Sequence, residues 1–101
     1  MSVYMVWDLE LLDPADFAEY QRAFPAILER HGGTYVVRGG PVTVFSGEWD
    51  LHRLIMLEFP DRAALDATFA DPDYLPLIPI RERSTRSRSF IVDGWDGSAP
   101  H

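Results

Sequence analysis

The stretch His31-Gly-Gly-Thr-Tyr-Val-Val-Arg-Gly-Gly-Pro41 is where two incompatible apolar periodicities meet. Upstream, Phe17, Tyr20, Phe24, Ile27 and Leu28, continued by His31, recur at the spacing of an amphipathic helix. That helix has a start signal in Asp13-Pro14-Ala15-Asp16: a side chain able to cap, a proline suited to the first turn, and an acid at the positive end of the dipole. Pro25 lies inside the pattern and removes one backbone donor, so a kink or a division after Phe24 is expected. Gly32 and Gly33 end the helix, one of them in a left-handed C′ conformation. From Thr34 to Arg38 the apolar residues run as a strand. Gly39-Gly40-Pro41 predicts a bulge or bend, after which Val42 to Phe45 should resume extended structure. The stretch is therefore a helix-to-strand corner.

The remaining segments fall into place around it. Val3 to Leu12 alternates, with Val3, Met5, Trp7, Leu9 and Leu11 on one face and Tyr4, Val6, Asp8 and Glu10 on the other. Ser46-Gly47 predicts a turn, followed by the polar loop Glu48-Trp49-Asp50. His52 to Phe59 is a further strand, and its run Leu54 to Leu57 implies cover on both faces. Asp61 caps a short helix with Ala64, Leu65, Thr68 and Phe69 inward. Asp71-Pro72 repeats the signal for a segment with Tyr74, Leu75 and Ile78 inward, which Pro76 and Pro79 should limit to a turn or two. The arginine-rich run Arg81 to Arg88 leads to a last strand, Ser89 to Val92. The order is β-α-β-β-α-β, an α+β ferredoxin-like plait: a four-stranded antiparallel sheet with its helices on one face. Helices cover one sheet face only, yet the strands at residues 3–12 and 52–59 are apolar on both. A second copy of the chain laid sheet to sheet would bury the other face, so a homodimer through the open sheet face is expected.

Length and composition narrow the function classes. A chain of 101 residues forms a single domain, here placed at residues 1–95 with a flexible tail at 96–101. The absence of cysteine rules out disulfides and thiolate metal sites and is compatible with the cytoplasm, where the protein is expected. The first eight residues carry no basic region, so no signal peptide is expected, and no apolar run reaches the ~18 residues of a membrane span. The net charge is −7 and every cation is arginine, a balance that repels phosphate backbones and argues against nucleic acid. The histidines and acids show no metal-ligand spacing, so neither metal nor cofactor is expected.

The series from His31 to Pro41, then Gly47-Glu-Trp, Leu57-Glu-Phe-Pro and Asp71-Pro-Asp-Tyr resembles the DUF1330 family across roughly residues 3–95. That resemblance implies membership of the dimeric α/β-barrel superfamily of ferredoxin-like proteins, with the same plait and sheet-to-sheet dimer. The family has no general assigned activity. Superfamily relatives include cofactor-free monooxygenases, lactone isomerases, polyketide cyclases and haem enzymes, whose sites usually lie between sheet and helices; this is analogy at the level of fold.

Arg38 is the sharpest chemical candidate, because a guanidinium in an apolar strand needs an anion. Its partner is either Glu58 or a ligand. Glu58 interrupts an apolar strand face and would serve as a general base if buried, or as the ion-pair partner of Arg38 if not. His31 could move a proton or simply cap the helix C-terminus. Tyr20 and Tyr74 could orient a ligand or act as core aromatics, and Trp7 and Trp49 could wall a flat ligand or pack in the core or a dimer. His52 and the patch of Arg81, Arg83, Arg86 and Arg88 read as solvated, and His101 as tail. The expected function is binding of a small carboxylate- or carbonyl-containing molecule in a sheet-helix pocket, serving cofactor-independent isomerisation, cyclisation or oxygenation. The alternative is a non-catalytic dimeric module for ligands or proteins. Pocket volume beside Arg38 separates them, with roughly several hundred Å³ favouring a ligand.

Overall fold

The computed structural model describes residues 1–97. Seven elements follow in order: β1 (Val3–Leu11), α1 (Pro14–Arg30), β2 (Thr34–Arg38), β3 (Arg53–Phe59), α2 (Arg62–Ala70), α3 (Leu77–Ser84) and β4 (Thr85–Asp93). The strands form one antiparallel sheet in the order β2-β3-β1-β4, with β1 paired to both β3 and β4. This is the expected ferredoxin-like plait. The Gly94 N–H donates to the Ser2 carbonyl at 2.8 Å, tying the end of β4 to the start of β1; residues 98–101, including His101, lie outside the described residues.

Two of the three predicted helix starts hold; at Asp71-Pro72 only turns form, α3 begins at Leu77 with no side-chain cap, and Leu75, expected inward, is exposed. The Asp13 carboxylate accepts the Asp16 N–H at 3.1 Å, and that of Asp61 accepts the Ala64 N–H at 2.8 Å. Phe17, Tyr20, Phe24, Ile27 and Leu28 of α1 are all buried against the sheet face carrying Val3, Trp7, Leu9, Ile55, Leu57 and Phe59. Gly32 takes the left-handed conformation (φ 82°), as expected of one glycine of the pair. Gly33 has a different role: an added Cβ would meet the Phe59 ring at 2.9 Å and the Leu28 side chain closer still.

Several expectations need correction. α1 runs unbroken through Pro25, because the residues on either side, Phe24 and Ile27–Leu28, are pinned in the core. Val42 to Phe45 forms no strand; the chain from Gly40 to Leu51 is an irregular arm that exposes Phe45 fully (101%) and Trp49 by 64%. The β-bulge is not at Gly39-Gly40-Pro41 but earlier, at Val36, between the pairs Tyr35↔Leu57 and Val37↔Met56. Pro79 does not shorten the last helix, since it occupies the first turn of α3, where its missing N–H would have had no helical partner. Finally, β4 starts at Thr85 rather than Ser89, so Arg86 and Arg88 are strand residues and Arg81 and Arg83 are helical.

The molecule is a slab of 44 × 35 × 17 Å with a radius of gyration of 14.5 Å, above the about 13 Å typical of a domain of this size. One face is helix-covered. The other presents Tyr4, Val6, Leu54 and Met56, with Phe90 (59% exposed) and Val92 (47%) beside them on β4. No helix among the described residues is long and apolar enough to cross a membrane.

Candidate functional site

A cleft opens between α1 and the β2-β3-β1 part of the sheet. Its apolar walls are Trp7, Leu9, Phe17, Phe24, Ile55 and Leu57, and its polar lining is Tyr20, Gln21, Tyr35, Arg38 and Arg53. About 420 Å³ lies between these walls, mouth included, but only about 30 Å³ of it is wide enough for the centre of a water-sized group. That is room for about two waters, far short of the roughly several hundred Å³ expected of a ligand pocket, so on volume the closed cleft favours the non-catalytic module. A larger occupant must part the side chains at the mouth.

The bulge at Val36 decides which residues face this cleft. In a regular strand, residues three apart point to opposite faces. With one extra residue in β2, Tyr35 stands opposite Leu57 and Arg38 opposite Ile55, so both face the helix side. The Arg38 guanidinium lies over the Tyr35 ring, 4.4 Å from its centroid, and the residue is exposed rather than buried as expected. Across the ladder Arg53 has the parity of Ile55, Leu57 and Phe59 and comes to the same place. Gly39 makes this possible: its φ is 74°, and an added Cβ would stand 2.8 Å from Cζ of Arg53.

The expected Arg38–Glu58 ion pair does not form. Glu58 pairs with Thr34, at the far end of β2 from Arg38, and it has Tyr4's parity on the open face. There it accepts hydrogen bonds from Ser2 Oγ (2.7 Å) and Tyr4 Oη (3.2 Å). His31 is likewise away from the cleft, with Nε2 2.7 Å from Oδ2 of Asp71. Asp71 also takes Arg30 at 2.8 Å and the Asp73 N–H at 2.8 Å. Its carboxyl is pulled down to about 2, first by His31 and then by the Asp73 N–H and Arg30. This cluster fastens the end of α1 to the turn before α3.

Tyr20 and Tyr74 do meet, hydroxyl to hydroxyl at 2.9 Å, and Arg81 donates to Oη of Tyr74 at 2.9 Å. Tyr20 lines the cleft, whereas Tyr74, 1% exposed, sits behind it. Burial pushes both phenols up, so both remain O–H groups at neutral pH. Trp7 is a wall of the cleft as well as a core residue, stacked on Phe69 with Arg81 over its ring 5.1 Å from the centroid. Its buried Nε1 has no hydrogen-bond partner among the described residues, and neither has buried Nε of Arg53. Trp49 belongs to the arm, donating to the Ser46 carbonyl at 2.9 Å.

Arg83, Arg86 and Arg88 are solvated, as expected, but each is paired. Arg83 holds Asp16 (2.6 Å), Arg86 holds Glu10 (3.0 Å) and Arg88 holds Asp8 (3.2 Å). His52 approaches Asp8 and Glu10, at 3.6 and 3.3 Å, rather than standing in solvent alone. Burial raises Asp8, but the His52 N–H and Arg88 outweigh it and leave the carboxyl lowered. Among the described residues no group of three or more His, Cys, Asp or Glu side chains is arranged to hold a metal. Gln21, Tyr35 and Arg53 line the cleft without having been candidates from sequence; for Arg53 the available signal was its shared parity with Ile55, Leu57 and Phe59.

The comparisons agree with this architecture. A protein of unknown function from Rhodopseudomonas palustris superposes with a TM-score of 0.78 at 21% identity, over 94% of this chain and 83% of that one. SnoaB, a cofactor-independent oxygenase from Streptomyces nogalater, gives 0.63 at 18% identity over 99% and 98%. A dimeric ferredoxin-like protein of unknown function from Jannaschia sp. CCS1 gives 0.62 at 19% identity over 93% and 100%. At these identities the likeness is one of fold. No curated protein matches the chain. The family model described as a domain of unknown function (DUF1330) matches residues 2–95, and the chain therefore belongs to the DUF1330 family.

Proposed function

We propose that the protein is a homodimer that binds a small carboxylate- or carbonyl-containing molecule in the cleft between sheet and α1. One observation carries the reading. Arg38 and Arg53 both line an aromatic-walled cleft and neither has a carboxylate among the described residues, in a chain with 16 acids and 9 arginines. Arg30, Arg62, Arg83, Arg86 and Arg88 all hold one, whereas Arg22 and Arg81, like the cleft pair, hold none among the described residues. Two like charges gathered beside an apolar cavity are repulsive unless an anion joins them, and a carboxylate or enolate oxygen fits the guanidinium fork.

Trp7 and Tyr20 would contact the ligand, with Tyr74 and Arg81 fixing the Tyr20 hydroxyl from behind. The dimer would form through the open sheet face, covering the side of the sheet that the helices leave bare. The resemblance to SnoaB supports cofactor-independent oxygenation as one chemistry such a cleft could serve, beside isomerisation and cyclisation.

Two measurements test this. Native mass spectrometry of protein from its own host should find a co-purifying acid, and titration with benzoate should move the Trp7 indole N–H resonance in wild type but not in Arg38→Ala/Arg53→Ala. An unmoved resonance across benzoate and a panel of enolic acids leaves only a non-catalytic module. Light scattering at micromolar concentration should give a dimer that Phe90→Glu dissociates; a monomer mass for the wild type refutes the dimer.

A further inference from the structure

The cleft has donors and no base. None of the residues lining it is an acid, a histidine or a lysine. Trp7 and both arginines can only donate. Tyr20 and Tyr35 are pushed up by burial and stay protonated, and the Tyr20 hydroxyl is already engaged by Tyr74. The groups that could accept a proton are held elsewhere. Glu58 bonds Ser2 and Tyr4 on the open face, Asp8 is bound by His52 and Arg88 there, and His31 is bound to Asp71 at the end of α1. Two buried N–H groups, Nε1 of Trp7 and Nε of Arg53, have no acceptor among the described residues.

We propose that the cleft binds its ligand as an oxyanion and acidifies any enol or phenol that enters, with no protein base taking the proton. The proposal rests on the ligand reading above and specifies its chemistry: the substrate class is a flat enol, phenol or carboxylic acid. On binding, the ligand O–H bond breaks, the electron pair stays on oxygen facing Arg38 and Arg53, and the proton passes to water at the open mouth. Two effects compete for the sign. Apolar walls disfavour the charged form, while an opposite charge within about 4–6 Å favours it by roughly 1–3 pKa units. The guanidiniums win here because two of them act together and because Arg38 stands in solvent at the mouth, so the anion is not fully stripped of water.

The test uses 4-nitrophenol, whose phenolate is coloured. Binding is read from the Trp7 indole resonance, and ionisation from absorbance across pH. The acid dissociation constant of bound nitrophenol should rise about tenfold over free probe, the lower end of the range for an adjacent guanidinium. Arg38→Gln and Arg53→Gln should each lose much of that rise. Arg62→Gln, which removes an equal charge from exposed α2, should keep it. Arg38 is exposed, so its variant retains the fold even where Arg53→Gln does not. Binding with an unchanged or lowered dissociation constant overturns this inference and leaves the ligand reading standing. If neither nitrophenol nor benzoate binds, both fall.

Discussion

The hydroxyl chain Tyr20–Tyr74–Arg81 makes an asymmetric prediction. Both phenols are buried, 5% and 1% exposed, and Tyr74 stands between Tyr20 at 2.9 Å and Arg81 at 2.9 Å. In Tyr20→Phe one hydrogen bond is lost, but the Tyr74 hydroxyl keeps Arg81; the cost is about 1 kcal/mol. In Tyr74→Phe the Tyr20 hydroxyl loses its only protein partner while still buried, which adds about 1 kcal/mol or more of unrecovered desolvation, so about 2 kcal/mol in all. Arg81 is only partly buried and remains over the Trp7 ring, so it can turn to water at little cost. The double variant contains no orphaned hydroxyl. Its cost should therefore fall back to about 1 kcal/mol, about 2 less than the sum of the single changes. Urea titrations at one fixed protein concentration measure all three, with m unchanged if only stability has moved. In thermal melts Tyr74→Phe should lower Tm by about 8–16 °C and Tyr20→Phe by about half that. Tyr20→Phe costing as much as Tyr74→Phe, or strictly additive single changes, would refute the argument.

Three further outcomes follow from single positions. Gly33→Ala drives a Cβ to 2.9 Å from the Phe59 ring and against Leu28, both core residues, and should destabilise by about 1–3 kcal/mol in a denaturant titration; a loss under 0.5 kcal/mol means the corner is looser than described. Gly39→Ala places a Cβ 2.8 Å from the Arg53 guanidinium at φ 74°, so calorimetric affinity for benzoate should fall severalfold with circular dichroism unchanged; full retention of affinity detaches Arg53 from the site. Asp71 has its folded carboxyl lowered from 3.8 to about 2, so its stabilising effect is complete above pH 4 and lost as pH falls through 2. Asp71→Asn should accordingly flatten the slope of Tm against pH in that window, and an unchanged slope would show that other carboxylates set it.

The elements were legible because local chemistry and packing agree at them. Asp13 and Asp61 cap what they promise to cap, and the alternation in β1 and β3 sorts buried from open residues correctly. Pro25 misled because a local penalty was weighed without the tertiary contacts of Phe24, Ile27 and Leu28, which hold the helix through it. The arm from Gly40 to Leu51 misled for the opposite reason. Val42, Val44 and Phe45 have strand propensity but no neighbouring strand to pair with, and β propensity without a partner is only a preference.

The site was less legible, and the cause is one residue of parity. Strand alternation assigns every side chain to a face by counting, so a single unrecognised insertion reverses every assignment beyond it. The glycines drew the expected bulge to Gly39–Gly40, after Arg38, where it could not change which way Arg38 points. Its actual position, Val36, is a β-branched residue with no bulge signature of its own. Moving the bulge across Arg38 brings that guanidinium to the helix face, away from Glu58 and onto the face of Arg53. The same shift removes an internal ion pair and creates an unpaired pair of cations beside an aromatic cleft. Glu58 kept its parity and stayed outside. The question posed by the sequence, whether the anion of Arg38 is Glu58 or a ligand, is thus answered by geometry on one side: Glu58 is on the other face of the sheet and is not the partner of Arg38.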